Sequence, residues 1–157
     1  MSSDDLVRTA APPVDAVLLA RGVCRALDQL GYATIPEFRL ANGRRADVMA
    51  LGRAGEIAIV EIKSSVADFR GDQKWPEYWA FCDRLYFAVA ASFPHDLVPA
   101  ECGLILADPF GAAVLREPER RPVSAARRRA VILRFALVGA SRLRRLVDPG
   151  AGAGELI

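Results

Sequence analysis

A chain of 157 residues, 52% apolar and 25% charged, is long enough to bury about two thirds of its unfolded surface as one folded domain. That balance excludes a wholly disordered or collagen-like protein, and three cysteines without CxxC spacing give no readable disulfide framework or structural zinc site. The net charge of +2 conceals a basic set of nineteen arginines and only two lysines, Lys63 and Lys74.

Residues 1–13 lack periodicity and end in a proline pair, so they read as a disordered tail ahead of a single domain over 14–148. Val17, Leu18, Cys24, Leu27 and Leu30 recur at helical spacing, and Gly31 stands where a helix ends; the spacing predicts an amphipathic helix over about 14–30. Three apolar-alternating runs follow, 34–40, 44–51 and 56–63. Asn42-Gly43 separates the first two and the 52–55 turn the last two, which predicts an antiparallel meander. A polar stretch around Asp68 to Asp72 leads to a short helix beginning near Trp75, with Pro76 in its first turn. Strands at 85–91, 103–107 and 112–117 precede a long helix over about 123–147, in which Val131, Ile132, Leu133, Phe135, Leu137 and Val138 are expected to pack on the sheet. Residues 149–157 read as a flexible tail. The order of elements predicts an α/β fold, a mixed α+β sheet with helices on its faces.

Glu61 and Lys63 stand two apart at the end of the apolar run Ile57–Val60, so both point to one face of the strand. An isolated Glu-x-Lys is most often a surface ion pair contributing under about 1 kcal/mol. Here Asp47 lies inside the preceding strand, where aspartate is disfavoured, and lysine is rare in the chain; Glu37 is a possible third acid. Two carboxylates and an ammonium at one point form a cage for a hard divalent cation, Mg2+ or Mn2+, with positions open for water and a phosphate oxygen. Register decides whether they meet. Pairing Leu51 with Glu56 would turn Asp47 away from Glu61, so a three- or five-residue loop or a bulge is expected.

The helix, the hairpin with Asp47, then Glu61-Ile62-Lys63 and a following helix resemble the PD-(D/E)xK nuclease superfamily, with its restriction-endonuclease-like αβββαβ core. More narrowly, GRRAD at 43–47, EIKSSVADFRGDQKWPEY at 61–78, CDRLYFAV at 82–89 and GLILAD at 103–108 resemble the MmcB family of proposed DNA-repair endonucleases. The resemblance covers about residues 15–145. It implies that Asp47 and Glu61 hold a Mg2+ ion, or Mn2+, with the main-chain carbonyl of Ile62, that Lys63 positions the attacking water or stabilises the transition state, and that Glu37 is an extra carboxylate. Gln73 or Lys74 would be the accessory polar residue after the motif. Ala46 stands where the superfamily places proline, and its first acid is commonly on the opening helix, where Asp28 competes with Glu37. The implied activity is metal-dependent hydrolysis of DNA in repair; the alternative is a catalytically silent nucleic-acid-binding or adaptor domain on the same fold.

Other segments carry weaker signals. Ten arginines between Arg116 and Arg145 face only Glu117 and Glu119, so the last helix, Arg127 and Arg128 above all, is a candidate track for a DNA backbone, with Arg45 beside Asp47 as a further contact. Trp75 is the aromatic best placed to stack on a base; Trp79, Phe81 and Phe87 are read as core. Asp83 and Asp108 read as structural caps at strand boundaries, and Ser64 and Ser65 as turn formers or phosphate contacts. No signal segment or membrane-length apolar run is present, and a reducing cytoplasm fits the cysteines. DNA is the expected partner, with a homodimer or association with other repair proteins possible and no membrane.

Overall fold

The computed structural model describes residues 15–150. The tail expected at 1–13 lies outside that range, as does the one at 149–157 apart from Pro149 and Gly150. Helix α1 (Ala16–Gln29) is followed by strands β1 (Tyr32–Arg39), β2 (Arg45–Gly52) and β3 (Ile57–Lys63), a short helix α2 (Val66–Gly71) and a 3-10 segment (Trp75–Phe81). Strands β4 (Arg84–Val89), β5 (Gly103–Ala107) and β6 (Ala112–Arg116) lead to the long helix α3 (Ala125–Val147). The six strands lie in one sheet in chain order, β3, β4 and β5 parallel and the other pairs antiparallel. The fold is α/β with a mixed sheet, as the order of elements predicts.

The sheet has a helical layer on each face. Leu19, Val23 and Leu27 of α1 cover Val48, Ala50, Ala58, Val60 and Ile62 on one side. On the other side Val131, with Phe135 and Val138, packs over Met49, Ile57, Ile59, Leu85 and Phe87. Every residue of β3 is buried, which is what a central strand covered on both faces requires. The apolar side chains of α3 in the core on this face are Val131, Phe135 and Val138. Leu133 and Leu137, expected to pack there, are 61% and 45% exposed, because a helix presents one side to a flat sheet and these two lie on the other.

Two further expectations are corrected. The polar stretch after Lys63 contains α2, which Ser65 caps by accepting a hydrogen bond from the Asp68 N–H at 3.0 Å. The segment beginning at Trp75 is a 3-10 helix rather than an α-helix, and Trp75 is partly buried, its ring in a T-shaped contact with Phe87 at 5.5 Å.

Both turns of the β1–β2–β3 meander reverse in three residues. Leu40 bonds to Arg44 and Gly52 to Glu56, and the last loop residue of each, Gly43 and Gly55, has φ near +87°, a conformation that a side chain would strain. The loop at 53–55 pairs Leu51 with Ile57 and Val48 with Val60, the even register that brings Asp47 level with Glu61.

Asp83 ties the layers together. Its carboxylate, fully buried, accepts from the N–H of Ile57 (2.8 Å), the N–H of Val123 (3.0 Å) and both terminal nitrogens of Arg128 (2.6 and 2.7 Å). Burial opposes its charge, but these hydrogen bonds outweigh it and bring the carboxyl down to about 2. Arg128 also donates to the Gly55 carbonyl at 2.7 Å, so one guanidinium spans α3, the β2–β3 turn and the start of β4. The structural reading of Asp83 therefore holds, and Arg128, expected to contact DNA, is bound to Asp83 and to the Gly55 carbonyl. Asp83→Ala is expected to cost about 3–5 kcal/mol of unfolding free energy in urea, because it leaves a partly buried guanidinium unpaired. Since the carboxyl is depressed in the folded state, its contribution is present above about pH 4 and is lost as pH falls toward 2. A loss under about 1 kcal/mol would contradict this account.

Candidate active site

The ladder between β2 and β3 ends at Val48 and Val60, and beyond it the two acids take the place of the missing backbone bonds. The Asp47 N–H donates to Glu61 Oε1 at 3.1 Å, and the Ile62 N–H donates to Asp47 Oδ2 at 2.8 Å. Each carboxylate thus holds the other's strand.

A backbone irregularity aims Asp47. Ala46 packs in the α3-side core although Val48, two residues on, packs under α1, so β2 changes face at Asp47. The neighbouring strand does the same: Ile35 and Phe38 share the α3-side core, and between them Glu37 has φ +50°, the one positive φ of a non-glycine among the described residues. With Pro36 opposite Val48 and Phe38 opposite Ala46, Glu37 stands level with Asp47. Such a conformation costs on the order of 1–3 kcal/mol and persists where surrounding contacts enforce it. Arg142 of α3 supplies them by donating to the carbonyls of Pro36 and Glu37.

Glu61 and Lys63 are 4% and 5% exposed. Lys63 Nζ donates to Asp72 Oδ2 at 2.8 Å, and Asp72, the cap of α2, also accepts from the Lys74 N–H at 2.9 Å. Burial would raise the Asp72 carboxyl, but the hydrogen bonds from Lys63 and Lys74 and the lysine charge hold it below the usual range. Tyr78 borders the same cluster. Its hydroxyl donates to the Arg45 carbonyl at 2.9 Å, and burial together with the charges of Glu61 and Asp47 pushes the phenol up.

The negative charge is under-compensated. Burial and the Asp47 charge raise Glu61 to about 9, against the opposing effects of the Asp47 N–H and Lys63. Burial raises Asp47 as well, less its hydrogen bond to Ile62 and the Lys63 charge. At neutral pH the pair therefore holds a proton.

Of the residues singled out in the sequence, Asp47, Glu61 and Lys63 come together, with Ile62 between the last two. Glu37 is exposed and lines a cleft with Asp47, but no group of three or more His, Cys, Asp or Glu side chains placed to hold a metal occurs among the described residues. Asp28, exposed near the end of α1, does not line that cleft. Arg45 is exposed close enough to Asp47 to lower its carboxyl. Gln73 donates to the Arg70 carbonyl at 2.9 Å, and Lys74 is exposed beside Asp72. Arg127 is exposed with its guanidinium 4.4 Å from the centre of the Phe81 ring. Sequence reasoning missed Asp72 and Tyr78. The signal for Asp72 was the helix-capping pattern Ser65-Val66-Ala67-Asp68, which predicts a turn of helix returning the chain toward Lys63.

No helix among the described residues is long and apolar enough to cross a membrane. Residues 6–150 match the family model described as DNA repair protein MmcB-like. A solved structure described as the SPO1766 protein of unknown function from Silicibacter pomeroyi is 44% identical, with a TM-score of 0.86 over 94% of this chain and 99% of that one. No curated relative matches the chain. With nearly its full length covered by the family model, the chain belongs to the MmcB-like family of DNA repair proteins.

Proposed function

We propose that the protein is a metal-dependent endonuclease that hydrolyses phosphodiester bonds of DNA in repair. The observation that carries this reading is the pairing of half-buried Asp47 with buried Glu61 beside Lys63 in a family of DNA repair proteins. As a donor set it suits a hard divalent cation: the acids are adjacent, their shared negative charge is balanced only by a proton, and the nearby ammonium is already committed to Asp72. Asp47 and Glu61 would hold Mg2+ or Mn2+ with the Ile62 carbonyl. When bound, the cation supplies charge neutralisation at the phosphodiester and a more acidic water.

The chain's own residues supply the rest. Glu61 would have to give up its proton to serve as a ligand, so binding would be favoured at higher pH. Lys63 is fixed by Asp72 at the mouth of the pair, where its ammonium can orient the attacking water or carry positive charge against the developing phosphorane. Tyr78 holds the Arg45 carbonyl and so the segment that presents Asp47. A second reading, a DNA-binding domain without catalysis, is favoured by one observation, the lack of a third carboxylate, histidine or cysteine grouped with the pair among the described residues.

Two experiments test these readings. In metal-free protein the raised Glu61 carboxyl is protonated in the folded state and ionised in the unfolded state between about pH 4.5 and 9, so this group destabilises the fold progressively as pH rises through that window. Mn2+ should therefore raise Tm more at about pH 8.5 than at about pH 6, and Glu61→Gln should remove the difference. An equal increment in the variant contradicts the ligand assignment. For catalysis, Mg2+ or Mn2+ should support nicking of DNA, with Asp47→Ala and Lys63→Ala each lowering the rate at least about 100-fold while binding persists. Cleavage that survives Asp47→Ala overturns the nuclease reading. DNA binding without cleavage of single-stranded, duplex, nicked or flapped substrates supports the second reading instead.

A further inference from the structure

On the α1 side of the sheet, Asp47 lines a cleft of about 790 Å3 formed by residues of α1, β1 and β2 with Ile62 of β3 and, from α3, Arg142. Four arginines line it: Arg21 and Arg25, one turn apart on α1, Arg45 on β2, and Arg142 on α3. Among the described residues none of them forms an ion pair with a carboxylate, whereas Arg44, Arg84, Arg121, Arg128 and Arg144 all do. Arg25 reaches the Phe110 carbonyl at 3.4 Å, and Arg142 is spent on the carbonyls of Pro36 and Glu37, contacts that orient a guanidinium without neutralising it. Among the described residues that line it, Glu37 and Asp47 are the acids set against them, so this lining carries an excess of positive charge.

The remaining lining is small or aliphatic, including Ala16, Val17, Ala20 and Ile62, and contains no aromatic ring. Without a stacking surface the cleft is unsuited to reading bases, and its arginine-rich lining suits phosphate oxygens. We propose that this cleft is the phosphate subsite for the DNA strand adjacent to the scissile bond, taking a single-stranded sugar-phosphate segment that approaches Asp47 from the α1 face. The assignment rests on the reading of DNA as substrate. It moves the main electrostatic contact from the outer face of α3 to a recess beside the acid pair, and it makes binding independent of sequence and sensitive to salt.

The test is fluorescence anisotropy of a labelled single-stranded oligonucleotide with metal removed, read over a range of salt. Arg21 and Arg25 are exposed on a helix where alanine is a good former, so Arg21→Ala/Arg25→Ala keeps the fold, checked by its circular dichroism and Tm. This double variant should weaken binding at least about tenfold at low salt and lower the slope of log affinity against log salt by about 1.4, the equivalent of two single-strand phosphate contacts. Arg120→Ala/Arg129→Ala, which removes the same charge from exposed positions outside the cleft, should change affinity less than about threefold. Equal losses in both double variants, or wild-type binding by the first, overturns the subsite, as does wild-type protein that binds duplex but not single-stranded DNA. Binding that depends on the cleft in a protein that never cleaves DNA leaves the subsite standing and removes catalysis. Cleavage with unchanged KM in Arg21→Ala/Arg25→Ala removes the subsite and leaves the nuclease reading intact.

Discussion

Between β2 and β3 the chain reverses in three residues, Arg53 to Gly55, and that count determines where Asp47 lands. One residue more or fewer would slip the pairing by one, and because side chains alternate along a strand the slip would carry Asp47 away from Glu61. The turn is not left to its own propensity. Arg128 reaches across from α3 to the Gly55 carbonyl while Asp83 holds the guanidinium and the N–H of Ile57, the first residue of β3. The element on one face of the sheet thus fixes the register that assembles the acids, which is why a buried ion pair far from the carboxylates bears on their geometry.

Burying charge is unfavourable unless it is paired, and the candidate site is only partly paired. Lys63 is matched to Asp72, and the two remaining acids, each hydrogen-bonded to the backbone of the other's strand, keep a proton to limit the repulsion. Beside them Glu37 is held at φ +50° by two bonds from Arg142. A strained residue and an under-compensated carboxylate pair facing each other across two strands are features that packing alone would not select. Both become reasonable if a cation and a phosphodiester complete the electrostatics.

Much of this was legible in the residues. Alternation and the Asn42-Gly43 and Gly52-to-Gly55 turns give the meander, the uninterrupted apolar run at 57–60 gives a doubly covered strand, and an aspartate inside a strand next to Glu-x-Lys marks the acid pair. What stayed hidden depends on tertiary contacts. Arg127 and Arg128 are adjacent and chemically identical, yet one is exposed over Phe81 and the other is bound to Asp83, a distinction made by helix phase against a sheet whose position the local sequence does not encode. The cleft was invisible for the same reason: Arg21, Arg45 and Arg142 are far apart in sequence and meet only because α1 and the end of α3 flank the same strands. Asp72 escaped because its role follows from the short α2, whose capping serine resembles a loop residue.

The central claim is that Asp47 and Glu61 form one cation site, and a crystal of the protein grown with Mn2+ and measured at a wavelength where manganese scatters anomalously tests it directly. The account predicts a single strong peak with carboxylate oxygens of both Asp47 and Glu61 at about 2.0–2.5 Å. A peak bound to only one of them, or strong sites elsewhere and none between the two acids, would contradict it.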